Sequence, residues 1–204
     1  MKTKNYIKNF KRIVKMPAVV FFLFAVNTAF AQDKIALGGS VTSQTTGSGF
    51  GSSVSPSLVL SLGRNSVTAG MNFQNLHHNL SGIRGKYEFI LNPEENSELF
   101  LFYDVAYHYG AYFAKNTVAW ETFISPENKN YFNGVKLRAV EQHIGFGINI
   151  RIWNKLKIFG AAGAGFYNTL DKEKYASNIF QYRELNGCTI MLMAGIKFNL
   201  KRIK

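Results

Sequence analysis

Thr189-Ile190-Met191-Leu192-Met193-Ala194-Gly195-Ile196-Lys197-Phe198-Asn199-Leu200 is the stretch that decides the fold. Ile190, Leu192, Ala194, Ile196, Phe198 and Leu200 alternate strictly with Thr189, Met191, Met193, Gly195, Lys197 and Asn199. Successive side chains of a strand point to opposite faces, so this pattern gives one apolar face and one small or polar face. A helix would scatter the same residues around its whole circumference.

The alternation recurs upstream. It predicts eight strands, covering Lys34–Ser43, Val54–Leu62, Ser66–Gln74, Gly82–Leu91, Glu98–Tyr109, Val140–Ile152, Leu156–Asn168 and Thr189–Leu200. Gly63-Arg64-Asn65, Asn92 to Ser97 and Trp153-Asn154-Lys155 are tight connections rich in turn formers. Between them lie the Gly/Ser/Thr tract from Gln44 to Ser53, Asn75 to Ser81, the long segment Gly110 to Ala139, and Leu170 to Cys188. Short and long connections alternate, and both ends of the strand array fall on the short-turn side. An even number of strands joined in this way closes an up-and-down antiparallel β-barrel. A ten-stranded barrel would require the long segment to contribute two more strands, with Lys115, Glu121, Glu127 and Lys129 facing inward.

The two faces differ in charge. In the fourth strand Ile83, Gly85, Tyr87, Phe89 and Leu91 oppose Arg84, Lys86 and Glu88. In the sixth, Ile144, Phe146, Ile148, Ile150 and Ile152 oppose His143, Gly145, Gly147, Asn149 and Arg151. A charge aimed at lipid mid-depth costs about 2–4 kcal/mol, so the charged face is assigned to the lumen. Phe100 and Phe102 share a face with Asp104 and His108, which suits an interior just wide enough to be filled by side chains. A filled lumen follows, not an open pore. The glycines at 145, 147, 160, 163 and 165 are read as places where strands bend or approach closely.

The N-terminus supplies a route to a membrane. Lys2, Lys4, Lys8, Lys11, Arg12 and Lys15 precede the apolar run Ala18 to Val26, and small residues follow at Ala29 and Ala31. This is the layout of a signal peptide over residues 1–31, cleaved before Gln32, with the barrel domain at 32–204. The apolar run is too short for a spanning helix, and no cysteine follows it to carry a lipid anchor. The 204-residue chain has 24 basic and 12 acidic residues. Removing the leader takes away six basic residues and no acidic one, leaving a net charge of +6. Nucleic-acid binding thereby loses its main support, while attraction to anionic lipid headgroups remains. The single cysteine, Cys188, excludes an internal disulfide.

The final strand resembles the C-terminal assembly signal of outer-membrane proteins, with Gly195 followed by Phe198 and Leu200 at the usual spacing. Met193 stands at a position usually polar, and Lys201 to Lys204 follow the signal. Together with the leader and the eight-strand rhythm, the chain resembles the small eight-stranded outer-membrane β-barrel proteins of Gram-negative bacteria over nearly its whole mature length. The resemblance implies insertion by the barrel assembly machinery. It also implies an outer-membrane location among lipids and lipopolysaccharide, with short turns toward the periplasm; the sequence stops soon after the last strand, so no attached periplasmic peptidoglycan-binding domain is expected.

Four inward residues near the outer rim have chemical potential: His108, His143, Glu141 and Asp104. Imidazoles and carboxylates on adjacent strands suit a metal or an acid–base pair. Some outer-membrane barrels are lipid-modifying enzymes that use a rim histidine with a serine and an acid, but no serine on the neighbouring strands falls into register here. The preferred reading places them in a structural lumen network with Arg84, Lys86, Glu88, Arg151 and Lys197, in which Glu88 finds a basic partner and Asp104 and Glu141 share the histidines. No metal and no cofactor is expected. The adjacent pair His77-His78 is read as a solvated loop pair. Tyr107, Tyr109 and Tyr112 at one rim, and Trp153 with Phe198 at the other, fit interfacial girdles.

Recognition is assigned to the longest loop, 110–139. Its aromatic arms flank Ser125-Pro126-Glu127-Asn128, a proline turn, so Trp120, Phe123, Tyr131 and Phe132 would line either a protruding hairpin or a lid over the mouth. A surface ligand or protein partner is the expected occupant. The sequence thus favours a non-enzymatic structural or surface barrel. A lipid-modifying enzyme and a passive transporter of small apolar molecules are the alternatives.

Overall fold

The computed structural model describes residues 35–48, 50–74, 79–93, 96–113, 135–170 and 186–203. These residues form β1 (Ile35–Thr46), β2 (Ser52–Leu62), β3 (Asn65–Gln74), β4 (Asn79–Ile90), β5 (Ser97–Phe113), β6 (Val135–Trp153), β7 (Leu156–Thr169) and β8 (Asn186–Ile203). Each strand pairs antiparallel with the next, and β1 closes on β8 from Ile35↔Ile203 to Thr46↔Met191. The result is a closed eight-stranded up-and-down barrel with no free edge to pair elsewhere. β5 pairs directly with β6 up to Phe113↔Val135, so the ten-stranded alternative is not adopted.

Residues 1–34, 49, 75–78, 94–95, 114–134, 171–185 and 204 lie outside the described residues. The leader, His77-His78 and the loop residues Trp120, Phe123, Tyr131 and Phe132 fall among them.

The barrel is polar inside and apolar outside. Ile144 and Phe146 are each 69% exposed, whereas Glu88 and Glu141 are each 1% exposed. Leu58, Met71, Ile83, Leu101, Ile190 and Leu192 continue the outward apolar belt around the ring. Tyr109 and Trp153 are exposed at its opposite ends. Within the lumen, Ile90, Phe100, Phe102, Phe159, Met191 and Met193 form a buried apolar cluster between polar tiers.

The inward residues are unequally distributed. β1, β2 and β3 contribute mostly small neutral groups such as Ser40, Thr42, Ser53, Ser55, Ser66 and Thr68. β4, β5 and β8 contribute Arg84, Lys86, Glu88, Phe100, Phe102, Met191, Met193 and Lys197. An eight-stranded lumen cannot hold long side chains from every wall, so small residues on one side leave room for large ones from the other. The glycines of β6 and β7 serve the same end. A Cβ on Gly145 or Gly163 would come within 2.7 or 2.8 Å of the Phe102 ring, and one on Gly147 would meet the Phe100 ring and the Ala161 Cβ.

Pro56 faces outward in β2, where it can donate no ladder hydrogen bond. The β2–β3 ladder is interrupted there, between Val54↔Phe73 and Ser57↔Gly70. A side chain bridges the gap, with Ser55 Oγ donating to Asn72 Oδ1 at 2.6 Å, and Asn72 is held from the other side by Ser81 of β4, whose Oγ donates to its carbonyl at 2.9 Å.

The Gly/Ser/Thr tract differs from its expected form as a flexible loop from Gln44 to Ser53. Strand continues to Thr46 and resumes at Ser52, leaving only residues 47–51 as the connection. Its turn is closed by Gly51 N–H to the Ser48 carbonyl and Thr46 N–H to the Gly51 carbonyl, both 3.2 Å. Gly51 takes the left-handed conformation, φ 67°, that this reversal requires. The β1–β2 connection is therefore shorter than the six-residue β4–β5 turn, and the strict alternation of short and long connections does not hold. Only the connections after β5 and β7 are long.

Candidate functional site

The chemistry-bearing side chains stand in three tiers along the lumen. Each strand delivers them by parity, since residues two apart share the inward face. At the short-turn end, Glu98 at the start of β5 is held by Lys157 of β7, whose Nζ lies 2.6 Å from both carboxylate oxygens. Arg151 of β6 reaches the same carboxylate at 3.4 Å. One layer deeper, Lys197 Nζ donates to Glu88 Oε2 at 2.5 Å and to Asn149 Oδ1 at 2.8 Å. Lys86 Nζ lies 2.8 Å from Glu88 Oε1.

The middle tier is aromatic and sulfur-rich. Lys197 Nζ sits 4.8 Å and 4.7 Å from the ring centres of Phe100 and Phe159, and Lys86 Nζ 4.5 Å from that of Phe159. The negative ring faces stabilise ammonium groups that have left water. Above them Arg84 Nε donates to Asp104 Oδ2 at 2.6 Å, and its Nη2 approaches Met193 Sδ at 3.0 Å.

The outer tier centres on Glu141. His108 Nε2 lies 3.1 Å from Glu141 Oε2, and the Ser48 hydroxyl donates to Glu141 Oε1. Thr46 and Ser48 share a hydroxyl hydrogen bond of 2.7 Å. Phe50, carried by the short β1–β2 connection, turns into the mouth and stacks on His108 at 4.6 Å with the planes 4° apart. Gln74 Nε2 donates to the Phe50 carbonyl at 2.9 Å, which pins the loop from the opposite side. A register shift between His108 and Ala111 lies directly above, the rim position where barrels commonly bulge.

Asp104 departs from the expected arrangement in which it shares the histidines with Glu141. It pairs with Arg84 because their strands are adjacent and Arg84 is opposite Ala106, one inward step away on the diagonal. Arg84 is therefore not a partner of Glu88. His143 is buried beside them, and among the described residues neither of its ring nitrogens has a hydrogen-bond partner. Arg151 is partly exposed, its side chain 35% accessible at the mouth.

Serine, glutamate and histidine do meet here, through a loop residue that strand register could not place. The order is Ser48–Glu141–His108, with the carboxylate in the middle. A nucleophilic serine needs its hydroxyl on the imidazole that takes its proton, and this one is spent on the carboxylate. The residues are also covered, with His108 2% and Glu141 1% exposed. Among the described residues no group of three His, Cys, Asp or Glu side chains is arranged to hold a metal ion.

Glu98 and Lys157 belong to the network although sequence reasoning did not single them out, and Asn149, read only as an inward residue, joins it by accepting from Lys197. Their signal was present, since Glu98 shares the inward parity of Phe100 and Lys157 that of Phe159. Ser48 and Phe50 had no such signal. Of the assembly-signal residues, Phe198 and Leu200 face outward at 39% and 60% exposure, the Phe198 ring lying over Gly39. Gly195 faces inward beneath the Phe159 ring.

No family model matches this chain, and no curated protein matches it. Among solved structures it is similar to the crystal structure of Neisserial surface protein A (NspA), with 10% sequence identity and a TM-score of 0.41 over 81% of this chain and 97% of that one.

Proposed function

We propose that the chain is an outer-membrane β-barrel of a Gram-negative bacterium, exported by a signal peptide over residues 1–31 that is cleaved before Gln32. The observation that carries this reading is the inverted polarity. Large apolar side chains cover the outside while ionised groups line the inside, and only a surrounding of lipid makes that arrangement favourable. A water-soluble barrel would place the same two sets the other way round. Phe198 and Leu200 of the last strand are then what the barrel assembly machinery reads, and lipids and lipopolysaccharide are the contacts of the belt.

Within that location the role is structural or surface-interacting, and not enzymatic. The buried Phe100, Phe102, Phe159 and Met191 and the cross-lumen ion pairs support a lumen that does not conduct. Ser48 bonded to Glu141 in place of histidine speaks against lipid modification at the outer tier. Recognition falls to the outward loops, above all 110–139 with Trp120, Phe123, Tyr131 and Phe132. Cell fractionation followed by electrophoresis of unheated and heated samples tests the reading. Recovery in the outer membrane with a heat-dependent mobility shift is the expected result, and recovery in the soluble periplasm would refute it.

A further inference from the structure

The lower lumen holds more cations than carboxylates. Glu88 is bound by Lys86 and Lys197, and Glu98 by Lys157 and Arg151, so each carboxylate of this region faces two cations. A cavity of about 360 Å³ is lined by Arg64, Arg151, Lys157 and Lys197 together with Glu88 and Glu98, an excess of two positive charges among the described lining residues. Gly63 and Pro93 on its wall belong to the short turns, so it opens at that end of the barrel. Glu94 and Glu95 of the β4–β5 turn are outside the described residues.

The two deeper lysines are partly compensated by the rings of Phe100 and Phe159. Arg151 and Lys157 are not. They share a single carboxylate, line the cavity, and keep side-chain accessibilities of 35% and 20%. We propose that this vestibule binds a small phosphate-bearing anion, with Arg151 and Lys157 as its main contacts. A phosphate monoester carries a charge of about −1.5 to −2 at neutral pH, which matches the excess of the described lining residues. A monocarboxylate would neutralise only half of it. The guanidinium fork of Arg151 suits a phosphate's paired oxygens, while Val59 and Ile90 offer apolar wall to the rest of a ligand.

The test uses the full chain refolded in a neutral maltoside detergent, since phosphocholine detergents would compete. Inorganic phosphate and glycerol phosphate are titrated separately and followed by phosphorus NMR. Saturable binding of at least one is expected, with acetate weaker. R151Q/K157Q should weaken phosphate binding about tenfold or more, and R138Q at the outer end should leave it unchanged. E98Q releases both cations from their carboxylate and should tighten binding, whereas a purely structural cluster would lose stability and gain no affinity. Tighter binding of glycerol phosphate assigns an ester as ligand, and binding of inorganic phosphate alone assigns the free ion. A heat-dependent mobility shift verifies folding of each variant, and E98Q decides the matter should the double variant not fold. Absence of saturable binding by both phosphates, or weaker binding in E98Q, would overturn the proposal.

Discussion

Lys197 and Glu88 join opposite walls of the barrel, β8 to β4, through a hydrogen-bonded ion pair of 2.5 Å. The two strands stand four places apart in a ring of eight, so the pair spans the lumen and does not merely line it. Removing Glu88 leaves Lys86 and Lys197 buried without a carboxylate, a change that costs about 3–5 kcal/mol at a dry site. Urea unfolding of E88A in detergent should show a loss on that scale, while E127A in the long loop should shift the midpoint little. Equal effects of the two substitutions would show that the lumen is wet enough to screen the pair.

Arg84 and Asp104 form an independent pair on adjacent strands. Each single variant, R84M or D104N, should destabilise the barrel, because each strands the other group in a buried tier. The double variant should cost less than the sum, with a coupling of roughly 1–3 kcal/mol. Strict additivity in the double-mutant cycle would contradict the pairing.

Phe50 closes the outer mouth by stacking on His108, and it is only 4% exposed. Replacing it by alanine should cost on the order of 3 kcal/mol and free the short connection around it. Hydrogen exchange reads this directly, since the amides of Thr46 and Gly51 are both bonded within the turn. Their protection should fall in F50A and persist in F50L; unchanged protection in F50A would mean that the backbone turn holds without the ring.

Gly147 and Gly160 separate two meanings of glycine in one barrel. A side chain at Gly147 would strike the Phe100 ring and Ala161, whereas one at Gly160 meets nothing within 4 Å. G147V should therefore abolish the heat-dependent mobility shift or sharply lower the yield of folded barrel. G160V should fold normally, and similar behaviour of the two would argue against a filled middle tier.

The outer tier is assigned a structural role, so H108A/H143A should leave the acyl pattern of the cell's lipopolysaccharide unchanged. Disappearance of one lipid species in cells carrying the folded double variant would restore the enzymatic alternative.

Much of the barrel was legible residue by residue. Parity alone places Arg84, Lys86, Glu88, Asp104, His143 and Lys197 inside and Ile83, Ile144, Phe146 and Ile196 outside, because a strand's period is a local property of the backbone. The connections were harder. The Gly/Ser/Thr tract has the composition of a flexible loop, yet its serines and threonines continue β1 and β2 because a polar lumen accepts their hydroxyls. Its one aromatic, Phe50, gives the turn a fixed seat.

By itself, then, the sequence determined the number of strands, their order, and which face each residue takes, since these follow from periodicity and turn chemistry within a few residues. Only the tertiary structure decided who meets whom across the lumen. Lys197 and Glu88 are 109 residues apart in the chain, and Ser48 and Glu141 93. Such pairings depend on strand register, side-chain length and the lumen's narrowness together. Register is what turned Asp104 to Arg84 and left the outer histidine to Glu141. The same closure set Arg151 and Lys157 on one shared carboxylate beside an open cavity.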